Sequence, residues 1–240
     1  MRLIVAAGSI SKGHVLDVGH GGGDSLLLHL RDERVPRPSV LVGITSLSAH
    51  YERSSQRVHE CQGYSKDAQG VRVELHLGDA VYRELGGVSG PIERDHPLGP
   101  TGRQYDTVLA LDCAYHFRTR QIFLEQCFSH LSPGGRIALA DICFSDDRPP
   151  STFMRSLLGL LGLMPLPNII TQQEYLRCMV NIGYEDVSLE DVSAHVFPGF
   201  MRFLQKRGFG WRVFVTVLNA MLVTKGARFV IITGSKSGLP

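Results

Sequence analysis

No stretch of the chain carries three basic residues in a row, and its 25 Lys and Arg are nearly matched by 23 Asp and Glu, for a formal net charge of +2. A dedicated nucleic-acid binder presents a basic stripe to the phosphate backbone, so that class is set aside. Cysteine is sparse: Cys61, Cys113, Cys127, Cys143 and Cys178 are odd in number and widely spaced, with no C-x-x-C. Without a C-x-x-C a zinc ribbon is not expected, and five scattered cysteines do not read as a disulfide framework, so reduced thiols in a cytoplasmic protein are expected. Long apolar runs are missing too. Residues 153–170 are interrupted by Arg155, Pro165 and Pro167, and residues 213–223 are too short. A spanning helix requires about 20 uninterrupted apolar residues, so no membrane span is expected. Residues 1–10 lack the apolar core of a signal peptide. The thirteen residues 1–13 are expected to be too few for a cap domain, and no internal repeat or low-complexity tract occurs. The length, 240 residues, suits a single domain over 1–240.

What is present is a strand, a glycine turn and a helix. Val15, Leu16, Asp17 and Val18 read as a buried strand; Gly19, Gly21 and Gly23 follow at every second position; Leu26, Leu27, Leu28 and Leu30 form the apolar side of a helix. That unit presents backbone N–H groups and a helix N-terminus to a ligand. Further strands are predicted over 40–44, 71–77, 105–111, 136–144, 184–192 and 228–234. Helices are predicted from Ser48 through Cys61, over 120–131, over 153–163, and from the T-x-x-E capping box Thr171–Glu174 to Gly183. Residues 197–223 read as mostly helical. Residues 84–104, rich in Gly and Pro, read as a long surface loop. Strands alternating with helices imply an α/β fold, an open and mostly parallel sheet covered on both faces as three layers. Ligands bind such sheets at the carboxyl ends of the strands, near the point where the strand order reverses.

The glycine turn selects among ligands. A dinucleotide site asks for G-x-G-x-x-G, with an acid about twenty residues on for a ribose. Gly19 and Gly21 fit, but Asp24 occupies the third position and Thr45 stands at the end of the second strand. Both departures count against an NAD-dependent oxidoreductase.

The alternative pattern is D-x-G-x-G-x-G: Asp17, Gly19, Gly21, Gly23. It resembles the first motif of class I S-adenosylmethionine-dependent methyltransferases. The resemblance continues in register through Gly78-Asp79-Ala80, through the strand from Tyr105 to Asp112, and through the turn Leu131-Ser132-Pro133-Gly134-Gly135-Arg136. Gly43-Ile44-Thr45-Ser46 is similar to the strand end of the sterol, tocopherol and cyclopropane-fatty-acid type. The resemblance implies a Rossmann-like sheet of about seven strands with the last antiparallel, and S-adenosyl-L-methionine as cofactor. It implies Asp17 at the cofactor's ammonium, the three glycines against its backbone-facing side, and Thr45, Ser46 and His50 at the ribose. Asp79 and the Ala80 N–H would meet the adenine, and Asp112, Cys113 and Ala114 the methionine arm.

Tyr115 and His116 follow the fourth strand and are expected to face the transferred methyl. His116 is the general-base candidate for an O–H or N–H acceptor, because imidazole titrates near neutrality. Asp112, Asp141, Asp146 and Asp147 are read as loop and strand-end acids rather than a magnesium site, and His195 as structural or exposed; no metal is expected. Segments 145–170 and 197–224 lie where the family builds substrate lids. They carry Phe153, Met154, Leu157, Leu158, Phe200, Met201, Phe203, Trp211 and Phe214, which implies a small hydrophobic or amphipathic acceptor. Arg202, Lys206, Arg207 and Arg212 form a basic fringe suited to peripheral membrane contact. The expected activity is methyl transfer to a small molecule. A methyltransferase-like protein that binds without turnover is the alternative, motivated by the short stretch before the first strand. Nothing in the sequence assigns an oligomeric state.

Overall fold

The computed structural model describes residues 1–64, 66–83, 95–208 and 226–238. Seven strands, β1 (His14–Val18), β2 (Val40–Thr45), β3 (Arg72–Leu77), β4 (Tyr105–Leu111), β5 (Leu131–Phe144), β6 (Glu185–Asp191) and β7 (Ala227–Ser235), form one sheet. The order is β3-β2-β1-β4-β5-β7-β6, and β7 alone runs antiparallel to its neighbours. The expected doubly covered, mostly parallel sheet is therefore present. Strand order departs in opposite directions from β1, toward β2 and toward β4, so a crevice opens at the carboxyl ends of β1 and β4. The central strands are apolar on both sides because both are covered: Val15 and Leu16, adjacent in β1, are both buried.

Among the described residues the α-helices are α1 (Arg2–Ala7), α2 (Asp24–Arg31), α3 (Ser48–Tyr64), α4 (Lys66–Gln69), α5 (Arg120–His130), α6 (Thr152–Leu160), α7 (Gln172–Ile182) and α8 (Ser193–Gln205). Val15, Leu41, Leu109 and Ile231 pack with Leu3 of α1, Leu26 and Leu30 of α2 and Val58 of α3. On the opposite face Leu16, Val42, Val108 and Val230 pack with Phe123 and Leu124 of α5 and Tyr175 and Met179 of α7. Met154 and Leu158 of α6 join Phe144, Met164, Ile169 and Ala227 at the carboxyl end of β5. The capping box is realised: the Glu174 N–H donates to Thr171 Oγ1 at 3.3 Å, and the Thr171 N–H to the Glu174 carboxylate at 2.7 Å.

Several elements differ from the sequence expectation. Residues 1–13 do contain a helix: Leu3, Ile4 and Ala7 of α1 are buried, and Gly8 caps it in the left-handed conformation at φ 62. That helix packs on the sheet rather than over the crevice. Residues 132–135, expected as a turn before the strand, belong to β5 as an irregularity, with the register shifting between Tyr105 and Thr107. The second half of the 84–104 loop is ordered, because His130 Nε2 lies 2.9 Å from the Gly99 carbonyl and Leu98 is buried in the core; residues 84–94 lie outside the described residues. α8 starts at Ser193, earlier than expected, and Phe197 packs edge-on against Phe229 of β7 with ring centroids 6.4 Å apart. Trp211, Arg212, Phe214 and the rest of 209–225 lie outside the described residues.

Candidate active site

β1 delivers the chain into a turn in which Gly19, Gly21 and Gly23 all have left-handed φ, at 71, 54 and 87. Two of them serve different ends. A Cβ on Gly19 would lie 2.6 Å from Cys113 Sγ, so glycine lets the ends of β1 and β4 approach. A Cβ on Gly21 would meet nothing within 4 Å, because it would project into open space. Arg57 of α3 steadies the turn, donating to the Gly22 carbonyl at 2.6 Å and bridging the Asp24 carboxylate at 2.7 Å.

That open space is a cleft of about 580 Å³. The sequence-predicted residues Gly19, Gly21, Thr45, Ser46, Asp79, Ala80, Asp112, Cys113 and His116 line it, together with His50. Asp17, Gly23 and Tyr115 do not. Gly23 instead caps α2, where a Cβ would press on Ser54 at 3.0 Å. Asp17 sits buried in β1 beneath the turn, with Oδ2 unpartnered. Burial pushes its carboxyl up to about 7, and a hydrogen bond with the Ser25 side chain offsets this only in part. A buried carboxyl without a counter-charge favours its neutral form; a cation brought beside it would restore the charge.

At the other wall, Asp112 adopts a left-handed φ of 55 that carboxylate side chains tolerate better than most. Desolvation pushes its carboxyl up to about 6; a hydrogen bond with Tyr115 counters that shift and the charge of Asp141 adds to it. The Tyr115 and His116 rings lie 4.1 Å apart between centroids. Burial lowers the His116 pKa below its ordinary value, while a hydrogen bond with the Leu163 backbone and the Asp141 charge oppose that. The imidazole is therefore neutral near pH 7 and free to take up a proton.

Several further residues at the site have no role assigned from the sequence, although His20, Phe117 and Asp141 lie in strand-end stretches that it singles out. His20, between the motif glycines, lines the cleft with its ring folded over Gly43, where a Cβ would sit 2.8 Å from Cδ2. Its only sequence signal is a bulky residue inside a glycine turn facing a glycine on β2. Phe117 and Arg118 also line the cleft. Behind the Tyr115–His116 turn, Arg120 and Asp141 form a buried ion pair with Nε 2.8 Å from Oδ2. Tyr175 donates its hydroxyl to Asp141 at 2.9 Å, and the Arg120 guanidinium stacks on the Tyr175 ring at 4.5 Å. Asp146 accepts from the Gln173 N–H at 3.1 Å, and His195 is exposed on α8. Among the described residues no three His, Cys, Asp or Glu side chains gather as metal ligands.

S-adenosyl-L-methionine, which the motif resemblance implies, fits this arrangement on three counts. The cleft has the size of a cofactor site; Gly21 leaves it open; and Asp17 offers an unmatched acid beneath it where an ammonium group could serve as counter-charge.

Comparison with known proteins is consistent in kind. A family model described as a methyltransferase domain matches residues 2–189. The erythromycin 3''-O-methyltransferase of Saccharopolyspora erythraea is 26% identical over 208 residues, covering 84% of this chain and 60% of that enzyme. The chain spans 53 to 66% of the length of the curated relatives it matches. Among solved structures, phosphoethanolamine N-methyltransferase 2 of Haemonchus contortus, in complex with S-adenosyl-L-methionine, superposes with a TM-score of 0.72 at 14% identity, covering 98% of this chain and 51% of that one. A [4+2]-cyclase superposes with a TM-score of 0.70 at 18% identity, covering 98% and 80%.

Proposed function

The chain belongs to the methyltransferase-domain family, and from that premise we propose that it transfers a methyl group from S-adenosyl-L-methionine to a small hydrophobic or amphipathic acceptor. The observation that carries the reading is the unmatched Asp17 carboxyl beneath an open glycine turn. When bound, the cofactor supplies an electrophilic methyl group on a sulfonium.

The chain's own residues then have distinct tasks. Asp17, buried beneath the turn, takes the ammonium end as its counter-charge; Gly19 and Gly21 bring the backbone close, while Gly23 caps α2. Thr45, Ser46 and His50 offer neutral hydrogen bonds to the ribose. Asp79 and Ala80 take the adenine, while Asp112 and Cys113 line the methionine arm. His116 accepts the proton of an O–H or N–H acceptor on its ring, which is neutral at physiological pH. The name of the Saccharopolyspora relative, an O-methyltransferase, supports an oxygen acceptor. Alignment in a site from which water is excluded can supply most of the acceleration for an in-line displacement. The apolar acceptor class is supported by exposed Leu160, Leu163 and Leu166 in the segment after β5, whose Leu163 backbone hydrogen-bonds His116.

Five unpaired thiols suit a cytoplasmic setting. Among the described residues no helix is long and apolar enough to cross a membrane. Exposed Phe200 and Phe203, with Arg202, Lys206 and Arg207 alongside, support peripheral contact with lipid.

Because the fold also hosts a cyclase, fold alone does not carry the activity. Calorimetric titration with S-adenosyl-L-methionine, its demethylated product and NADH is the first test; binding of NADH alone would overturn the reading. Transfer of a labelled methyl group into a metabolite or lipid extract is the second. Cofactor binding without transfer would select the non-catalytic alternative.

A further inference from the structure

We propose that Asn168, Arg120 and Asp141 are positioning residues that clamp the backbone on either side of His116 and so fix its imidazole at the cleft. The purpose of the clamp rests on the methyl-transfer reading; its existence does not.

The geometry is specific. Asp141 Oδ1 accepts the Tyr115 N–H at 3.0 Å. Asn168 Nδ2 donates to the Tyr115 carbonyl at 3.0 Å and to the Phe117 carbonyl at 2.7 Å. The Asn168 side-chain oxygen accepts the Arg120 N–H at 2.9 Å. Arg120 closes the set, donating to the Asn168 carbonyl at 3.1 Å and the Ile142 carbonyl at 2.9 Å. Arg120, Asp141 and Asn168 are each at most 2% exposed.

A buried ion pair seldom stabilises a fold more than apolar packing of the same volume, because desolvating both charges offsets their attraction. Filling the core therefore does not explain this one. Its polar atoms converge on one short turn: Asp141 and Asn168 together engage the backbone of Tyr115 and Phe117. The residue between them, His116, lines the cleft. Asn168 also belongs to the segment after α6, and the backbone of Leu163 in that same segment meets the His116 ring. The segment therefore grips His116 from the ring side and, through Asn168, from behind. Other groups facing His116 are Tyr115, its ring tilted 44° against the imidazole, and the Asp141 carboxylate.

The discriminating variant is Asn168→Asp. It keeps the shape and the acceptor for Arg120, but it turns two amide donors into a carboxylate oxygen facing two carbonyls. The His116 ring would be followed by NMR titration, its signal assigned through its loss in His116→Gln. Asn168→Asp is expected to move the His116 midpoint by about half a pH unit or more, with S-adenosyl-L-methionine affinity kept within about threefold. Tyr175→Phe perturbs the same buried network but leaves every bond to the turn, and is expected to leave the His116 titration in place. An unchanged titration in Asn168→Asp, or an equal shift in both variants, would overturn the clamp. A readout on the unaltered protein guards against misfolding of the variant: the Tyr115 amide must exchange with solvent at least about 100-fold more slowly than an unprotected amide, and fast exchange also overturns the proposal. If the unaltered protein binds no S-adenosyl-L-methionine, the methyl-transfer reading fails by itself, while the clamp stands or falls with His116.

Discussion

Gly19 and Cys113 meet where β1 and β4 diverge, so closely that a methyl group on the glycine would come 2.6 Å from the thiol sulfur. The neighbouring Gly21 has a left-handed φ but open space before it. The two glycines should therefore fail differently. Gly19→Ala combines backbone strain with overpacking and should destabilise the protein by about 2–4 kcal/mol, seen in denaturant unfolding. Gly21→Val should cost about 1–2 kcal/mol for φ alone, yet lower S-adenosyl-L-methionine affinity at least about tenfold in calorimetry. Equal loss of stability in both would show that the turn is only structural.

Asp17 should trade stability for binding. Its folded pKa of about 7 lies above the unfolded value of 3.8, so the folded state holds a proton that the unfolded state gives up. Stability contributed by the neutral form is full below about pH 4 and is lost as pH rises toward about 7. Asp17→Asn should thus stabilise the ligand-free protein at pH 8, by up to about 4 kcal/mol, while weakening the cofactor at least about tenfold. Thermal melts at pH 5 and pH 8 check the first effect and calorimetry the second.

His29 acts in the opposite sense. It is fully buried on α2, and burial lowers its pKa from 6.5 to about 4. The unfolded chain takes up the proton first, so stability is full above about pH 6.5 and is lost as pH falls toward about 4, by as much as about 3 kcal/mol. In the unaltered protein Asp17 and His29 oppose one another across this range. Asp17→Asn should uncover a steep acid slope, and Asp17→Asn with His29→Leu should flatten it. Chemical unfolding across pH 4–7 measures both; a slope unaltered by His29→Leu would refute the assignment.

If His116 takes the acceptor's proton, the rate of methyl transfer should follow its lowered pKa. The rate is expected to reach half its plateau below pH 6.5, since the reactive form is the neutral imidazole. His116→Gln should cut turnover about 10²- to 10⁴-fold without changing cofactor affinity. A flat pH profile, or full activity in His116→Gln, would mean that the acceptor needs no base.

Local patterns were the readable part of this chain. Apolar runs located the central strands and alternation located β3, and the capping box located α7 to within a residue. The glycine spacing, the Gly78-Asp79-Ala80 strand end and the residues after β4 pointed to one end of one sheet, and the cleft lies there. What escaped was either too short or too far apart. α1 is six residues, less than two turns, and its apolar residues Leu3, Ile4 and Ala7 read equally well as a loose run. Arg120, Asp141, Asn168 and Tyr175 come from α5, β5, the segment after α6 and α7; only the folded sheet makes them neighbours. Asp141 looked like a free strand-end acid because its arginine lies a whole helix away in the chain.

The position of β7 carries a consequence for how the molecule comes to exist. Each of β2 to β5 pairs with a strand already synthesised, but β6 pairs with β7 alone, and β7 lies between β6 and β5. While the chain emerges, β5 presents a bare edge and β6 has no sheet to join. β7 is a wedge that completes the row from the inside, so a nascent chain stopped before Ala227 would hold the finished cleft wall beside an open, adhesive margin.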